Sequence, residues 1–246
     1  MPGPGLAPGT GHRLFSGFAL GQPRLSTQTE GKTLHLIVMG PQGSGKGTQA
    51  ALLAPALRLH HLSTGELFRA AIVAGSPLGR AIEVIYDRGD LITDDLTNQL
   101  VEERLDAIAS GQARSGSGII ESDAPTAVGA LFDGFPRTAP QAASLDELLA
   151  RRGERIDAVI EISAPEEQLI ERLMTRGRTD DSPDGIRRRL EKYHAETAPL
   201  LEMYRDRGLV VTVDGARPIE IVHDDLVSQL RARLDVDLGA SGTNAR

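Results

Sequence analysis

The chain has no cysteine and no tryptophan, and only 3% of its residues are aromatic. Without thiols it has neither a disulfide framework nor a thiolate metal site, which leaves the compartment open. With so few rings the core must be built from Leu, Ile, Val and Ala. No apolar run approaches the roughly 20 residues that a membrane-spanning helix needs. Lysine is scarce too: Lys32, Lys46 and Lys192 are the only three, and arginine carries the remaining positive charge. The net charge of −7 argues against a nucleic-acid footprint. What is present is 246 residues, enough for one good core with small inserted subdomains.

One stretch organises the rest. Gly40-Pro41-Gln42-Gly43-Ser44-Gly45-Lys46-Gly47-Thr48 follows an apolar, β-rich run, Leu34 to Met39, and precedes a helix-like run, Gln49 to Leu59. Strand, glycine loop and helix in that order make a phosphate-binding loop, with Gly47 inserted between the lysine and the usual hydroxyl residue. Glycines let successive backbone N–H groups turn inward toward phosphate oxygens. The helix N-terminus adds free donors and partial positive charge. Lys46 brings a full charge to the outer phosphates, and the Thr48 hydroxyl suits a magnesium ion. Alone, this motif says only that a nucleoside triphosphate binds.

Met1 to Gly31 is rich in Gly, Pro, Ser and Thr without a steady period, and reads as a disordered extension. It has Arg13 and Arg24 and no acid before Glu30, a faint likeness to an organelle-targeting segment beside the plainer reading of a flexible arm. Ser63 followed by Glu66 predicts a capping box and a helix from about Thr64, with Arg69 within reach of an anion at its start. Helix continues over Ala70 to Arg88, broken at Gly75-Ser76-Pro77. Thr93 caps another helix, with Asp94 and Asp95 in its first turn. Ser110 to Ala127 is a Gly/Ser-rich insertion with one short extended piece, Gly118 to Glu121.

A short buried-type strand from Gly129 to Phe132 then runs into Asp133-Gly134-Phe135-Pro136-Arg137-Thr138. An acid at such a strand end orients magnesium or its waters, or is simply a turn aspartate; the stretch alone does not choose. Thr138 with Gln141 predicts a capping box, and so does Ser163 with Glu166 after a strand at Asp157 to Ile162. Arg176 to Gly185 is a short polar loop, followed by one long helix from about Ile186 to Arg207. Leu209 to Val213 is a last strand and Ile219 to Leu234 an amphipathic closing helix, with Asp235 to Arg246 a frayed tail. Strands near residues 34, 129, 157 and 209, and a possible fifth near His60, alternate with helices. That order predicts an α/β fold, a parallel sheet covered on both faces, with ligands at the carboxyl ends of its strands. Arg172, Arg176, Arg178 and Arg189 flank the loop and suit a polyphosphate, although an arginine-flanked loop is by itself usually a solvated face.

Four of these stretches resemble adenylate kinase: residues 40–49, Ser63 to Arg69, Asp133 to Gln141, and Arg176 to Asp181, in the family's order, with similarity over about Thr33 to Leu234. The resemblance implies a phosphate-loop kinase domain over 32–234, with an AMP-binding segment at about 63–93, the insertion at 110–127, and a lid at 177–185. That lid is similar to the short, zinc-free kind. It implies transfer of a phosphoryl group between Mg2+-bound ATP and AMP to give two ADP. Gly43, Ser44, Gly45, Lys46, Gly47 and Thr48 would hold ATP phosphates, joined by Arg172 and Arg176, with Arg217 near the base through its backbone. Thr64, Arg69, Asp90, Leu91, Ile92, Gly134, Phe135, Pro136, Arg137 and Gln141 would form the AMP site. Arg178 and Arg189 would bridge the phosphates of both nucleotides. Lys46, Arg137, Arg176, Arg178 and Arg189 would act on the transferring group, and Thr48 and Asp133 would hold magnesium, partly through water.

Two departures stand out: Gln42 replaces the more usual proline, and the 110–127 insertion is longer than usual. The resemblance implies a cytoplasmic monomer, with no zinc, no nucleic acid and no membrane. The readings against it are a kinase for UMP or CMP, with Thr64 and Gln141 favouring AMP, GTP as donor, and a silent nucleotide-binding module.

Overall fold

The computed structural model describes residues 33–87, 92–110, 119–120, 129–176 and 182–234. The expectations for residues 1–31, for Asp90, Leu91 and Arg178, for most of the 110–127 insertion and for the tail therefore lie outside the described residues. β1 (Leu34–Met39) leads into α1 (Lys46–Ala56), then β2 (His60–Ser63), α2 (Thr64–Ala74), α3 (Pro77–Asp87) and α4 (Asp94–Ala109). β3 (Ile119–Ile120), β4 (Gly129–Asp133), α5 (Ala139–Ala150), β5 (Ala158–Ser163) and α6 (Glu166–Arg176) follow. The chain closes with α7 (Pro183–Lys192), a π-helical turn (Tyr193–Thr197), α8 (Ala198–Asp206), β6 (Val210–Asp214) and α9 (Ile219–Leu234).

The sheet order is β3-β2-β4-β1-β5-β6. Five strands are parallel, and the two-residue β3 joins the edge antiparallel to β2, pairing Ile119 with Leu62 and Ile120 with His61. Strands buried on both faces must be apolar at successive positions, and β1 shows why its sequence has no alternation. Leu36 and Val38 pack toward α1 and α9, with Leu53, Ile160, Val213 and Leu226. Ile37 and Met39 pack the other way, with Phe132, Leu145, Val159 and Tyr204. Each such side chain contributes on the order of 1.5–3 kcal/mol by leaving water.

Two smaller clusters stand apart. Leu67, Leu78, Ile82 and Leu100 join α2, α3 and α4. Leu169, Leu173, Ile186 and Leu190 join α6 to α7. These clusters hold the two segments on either side of the carboxyl edge of the sheet.

Several expected helix starts differ. Ser63 is the N-cap of α2, but its side chain makes no capping bond. Ser163 is the last residue of β5, and α6 starts later, at Glu166. Thr93 and Thr138 do cap, accepting from Leu96 N (3.4 Å) and Gln141 N (3.3 Å). The long helix expected from Ile186 to Arg207 starts earlier, at Pro183 behind Ser182, and is interrupted by the π-helical turn.

Candidate active site

The loop after β1 is shaped by contacts that only glycine permits. Gly40 has φ +142°, and a Cβ there would lie 2.2 Å from the Ile162 carbonyl oxygen on β5. The backbone can therefore press against the neighbouring strand and turn straight into α1. Gly43, at φ +86°, brings the loop close to α6 as well, where a Cβ would meet Leu169 O at 3.0 Å. The loop so formed rims a cleft of about 610 Å3 at the carboxyl ends of β1, β2 and β4.

This cleft gathers residues far apart in sequence. Gly43, Gly45, Lys46, Gly47 and Thr48 come from the loop and α1, and Thr64 and Arg69 from α2. Asp133, Gly134 and Arg137 come from the end of β4, Arg172 and Arg176 from α6, and Arg189 from α7. Nearly all the described residues expected to face phosphates therefore share one wall or another of it. Ser44 is packed beneath the loop, 2% exposed.

Cation is set against cation here. The Lys46 ammonium donates to Pro41 O at 2.7 Å. Burial lowers its pKa to about 8; Asp133 pulls it back up, while Arg137 and Arg176 push it further down. The Arg137 guanidinium opens onto the cleft yet sits deep enough that burial lowers its pKa as well, against the pull of Asp133. Such a site is short of negative charge, which a polyphosphate supplies.

Arg137 is fixed at several points. Its Nε donates to Gly134 O (2.7 Å), a carbonyl that also accepts from Thr64 Oγ1 (3.1 Å). Its backbone N–H donates to Gln141 Oε1 at 2.8 Å, and its backbone carbonyl accepts from Thr197 Oγ1 at 3.1 Å. Gln141 thus stands beside Arg137 at the edge of the site, 6% exposed and just outside the lining of this cleft. In a capping box its amide would reach the Thr138 N–H; here it reaches one residue further back. Phe135 is likewise in the core, 2% exposed against Phe132, so only the backbone of Phe135 and Pro136 is placed to shape the site.

A second cavity of about 640 Å3 adjoins the first, sharing Gly43, Gly45, Thr48 and Arg172. Its far wall is Gly215, Arg217, Pro218 and Ile219. Arg172 ties the two together, donating to Gly215 O at 2.8 Å and Gly43 O at 3.4 Å. The Arg217 guanidinium is turned to Asp225 and Asp214, which leaves its backbone on the wall.

Oxygen donors suited to a hard cation are present in Thr48, on the rim, and Asp133, whose Oδ2 would lie 3.6 Å from a Cβ on Gly47. Magnesium takes few protein ligands and completes its shell with water and substrate oxygens, so this sparse pair fits it. Among the described residues no group of three or more His, Cys, Asp or Glu gathers as a metal cluster.

Three residues near this chemistry escaped the sequence reading. His61 lines the cleft floor, 3% exposed, its Nε2 3.4 Å from Asp133 Oδ2. Asp94 and Thr197 lie behind Arg137 and Gln141. Only strand pairing and helix docking reveal them, since no local spacing links residues 44 to 72 positions apart.

A sequence model of the adenylate kinase family matches residues 38–115 and 117–209. The chain is 44% identical over 193 residues to an adenylate kinase of Caulobacter sp. (strain K31), which covers 77% of this chain and 94% of that protein. It is 40% identical over 204 residues to one of Thermobifida fusca (strain YX), covering 81% and 100%. A third, of Nocardia farcinica (strain IFM 10152), is 42% identical over 191 residues, covering 78% and 96%.

Proposed function

The chain belongs to the adenylate kinase family, and from that premise we propose how its two cavities divide the work. The protein is a phosphotransferase that moves the terminal phosphoryl group of ATP to AMP, giving two ADP, and runs the reaction in reverse. The observation that carries the assignment of roles is convergence. One ammonium, five guanidiniums and a glycine loop from separate elements line a single cleft that opens into a second cavity.

ATP lies with its base in the second cavity, against the backbone of Gly215 to Pro218, and its phosphates over Gly43 to Thr48. Lys46, Arg172 and Arg176 neutralise them. AMP lies on the other side, its phosphate on Arg69 and Arg137, its base toward Ile92, Thr64 and Gln141. Arg189, brought in by α7, spans the gap. No side-chain nucleophile is required. The phosphoryl group passes directly between oxygens held in line, and the barrier falls through positioning and charge neutralisation.

Thr48 and Asp133 would hold Mg2+ beside the ATP phosphates, where the ion supplies neutralising charge. Closure of the AMP-binding segment at about 64–93 and of the lid at 177–185 excludes water, which would otherwise take the phosphoryl group. The protein acts as a monomer, since each chain contributes a complete set of these groups.

The test is the purified protein with Mg-ATP, offered AMP, UMP, CMP and GMP in turn. ADP forms fastest with AMP. ADP formed only with UMP or CMP would overturn the acceptor assignment.

A further inference from the structure

Asp94 makes two hydrogen bonds that no part of the mechanism uses. At the start of α4, its Oδ1 accepts from Gln141 Nε2 at 2.6 Å and its Oδ2 accepts from Thr138 Oγ1 at 2.9 Å. Gln141 is therefore gripped at both ends of its amide, since its oxygen already accepts from the Arg137 N–H at 2.8 Å. Thr138 is the N-cap of α5 and Gln141 lies in its first turn, so one carboxylate joins the starts of two helices.

The chemistry of these partners is not interchangeable. A carboxylate offers only acceptors, and a backbone N–H offers only a donor. If the Gln141 amide turned over, its oxygen would face the carboxylate and its NH2 would face the Arg137 N–H. Both contacts would become repulsive, in a site only 6% exposed. The amide is thus held in one sense. Each of its ends has one hydrogen-bonding position left: a lone pair on Oε1 and an N–H on Nε2.

We propose that Asp94 is a specificity-determining positioning residue, which locks the Gln141 amide in the sense that reads adenine and rejects 6-oxopurines. The inference rests on the placement of the AMP base at Gln141. Adenine presents a donor at N6 beside an acceptor at N1, which matches the remaining lone pair and N–H. Guanine and hypoxanthine present an acceptor at O6 beside a donor at N1. They would need the amide reversed, which Asp94 and the Arg137 N–H together oppose. Asp94 itself touches no substrate; it acts through Gln141.

The experiment compares kcat/KM for AMP and for IMP, which differs from AMP at the read edge without adding the 2-amino group of guanine. The ratio is taken within one enzyme sample, so partial unfolding cancels. Asp94→Asn keeps shape and can hydrogen-bond either sense of the amide, and Asp94→Ala removes the acceptor. Both lower the AMP-to-IMP ratio by about tenfold or more, through a higher KM for AMP, with KM for ATP little changed. Gln141→Leu, run alongside, abolishes most of the discrimination. A ratio unchanged in both Asp94 variants, with Gln141→Leu still losing it, overturns the role of Asp94. A ratio unchanged in Gln141→Leu removes the base placement itself, and the inference with it.

Discussion

Lys46 is held where it is poorly solvated, a cost that Asp133 offsets only in part and that Arg137 and Arg176 add to, and that cost belongs to the fold. Its pKa of about 8 lies below the ordinary 10.5, so the unfolded chain binds a proton that the folded chain does not over that window. The penalty on stability is complete below pH 8 and is relieved as pH rises toward 10.5. Lys46→Met therefore raises the Tm of the nucleotide-free protein at pH 7, by roughly 2–4 °C if the relief is about 1 kcal/mol. The same variant loses at least a hundredfold in kcat, the scale of losing a well-placed charge at a transition state. A melting curve and a coupled ADP assay on one preparation check both. Bound phosphate reverses the penalty and restores the ammonium. Mg-ATP binding accordingly takes up little of a proton at pH 7 and a large fraction of one at pH 9. Calorimetry in buffers of different ionisation enthalpy measures this directly.

Among the elements, the π-helical turn links the α7 side of the cleft to the Arg137 side. It sits between α7, which carries Arg189, and α8, which is anchored in the core through Leu201 and Tyr204. Its last residue, Thr197, donates to the Arg137 carbonyl. Thr197→Val costs about 1 kcal/mol of stability and raises KM for AMP more than KM for ATP, read from denaturant curves and initial rates. The strands with strong local signals were legible: β1 from its apolar run, β4 and β5 from theirs. The phosphate loop, the Thr93 and Thr138 caps and the break at Gly75-Ser76-Pro77 were legible too, because each is settled within a few residues. β2 was marginal, since His60 and His61 hide its pattern, and only pairing with β4 makes it a strand. The missing capping bond at Ser63, the later start of α6 and the π-helical turn depend on how helices meet the sheet, which no local spacing encodes. The site was legible as a set of cations and glycines. The supports behind it, Asp94, Thr197 and His61, are joined to it only through tertiary contact.

Across the whole molecule, stability is unevenly spread. The sheet packs against helices on both faces, whereas α2 and α3 on one side and α6 and α7 on the other rest on small clusters of their own. Segments with fewer buried apolar contacts open at lower free energy. Amide exchange should therefore slow on nucleotide binding most in α2, α3, α6 and α7, and least in α1 and α9, as mass spectrometry reads peptide by peptide. The chain is acidic overall, at net −7, yet gathers one lysine and five arginines in one cleft, which focuses the field on anionic substrates.

On the reading proposed above, this cleft holds two nucleotides end to end. A single molecule that joins two adenosines through five phosphates spans both cavities and tests it most directly by isothermal calorimetry. The account predicts one molecule bound per chain, at least a hundredfold tighter than ATP or AMP alone, because the second half binds at high effective concentration. Binding no tighter than ATP, or two molecules bound per chain, would contradict it.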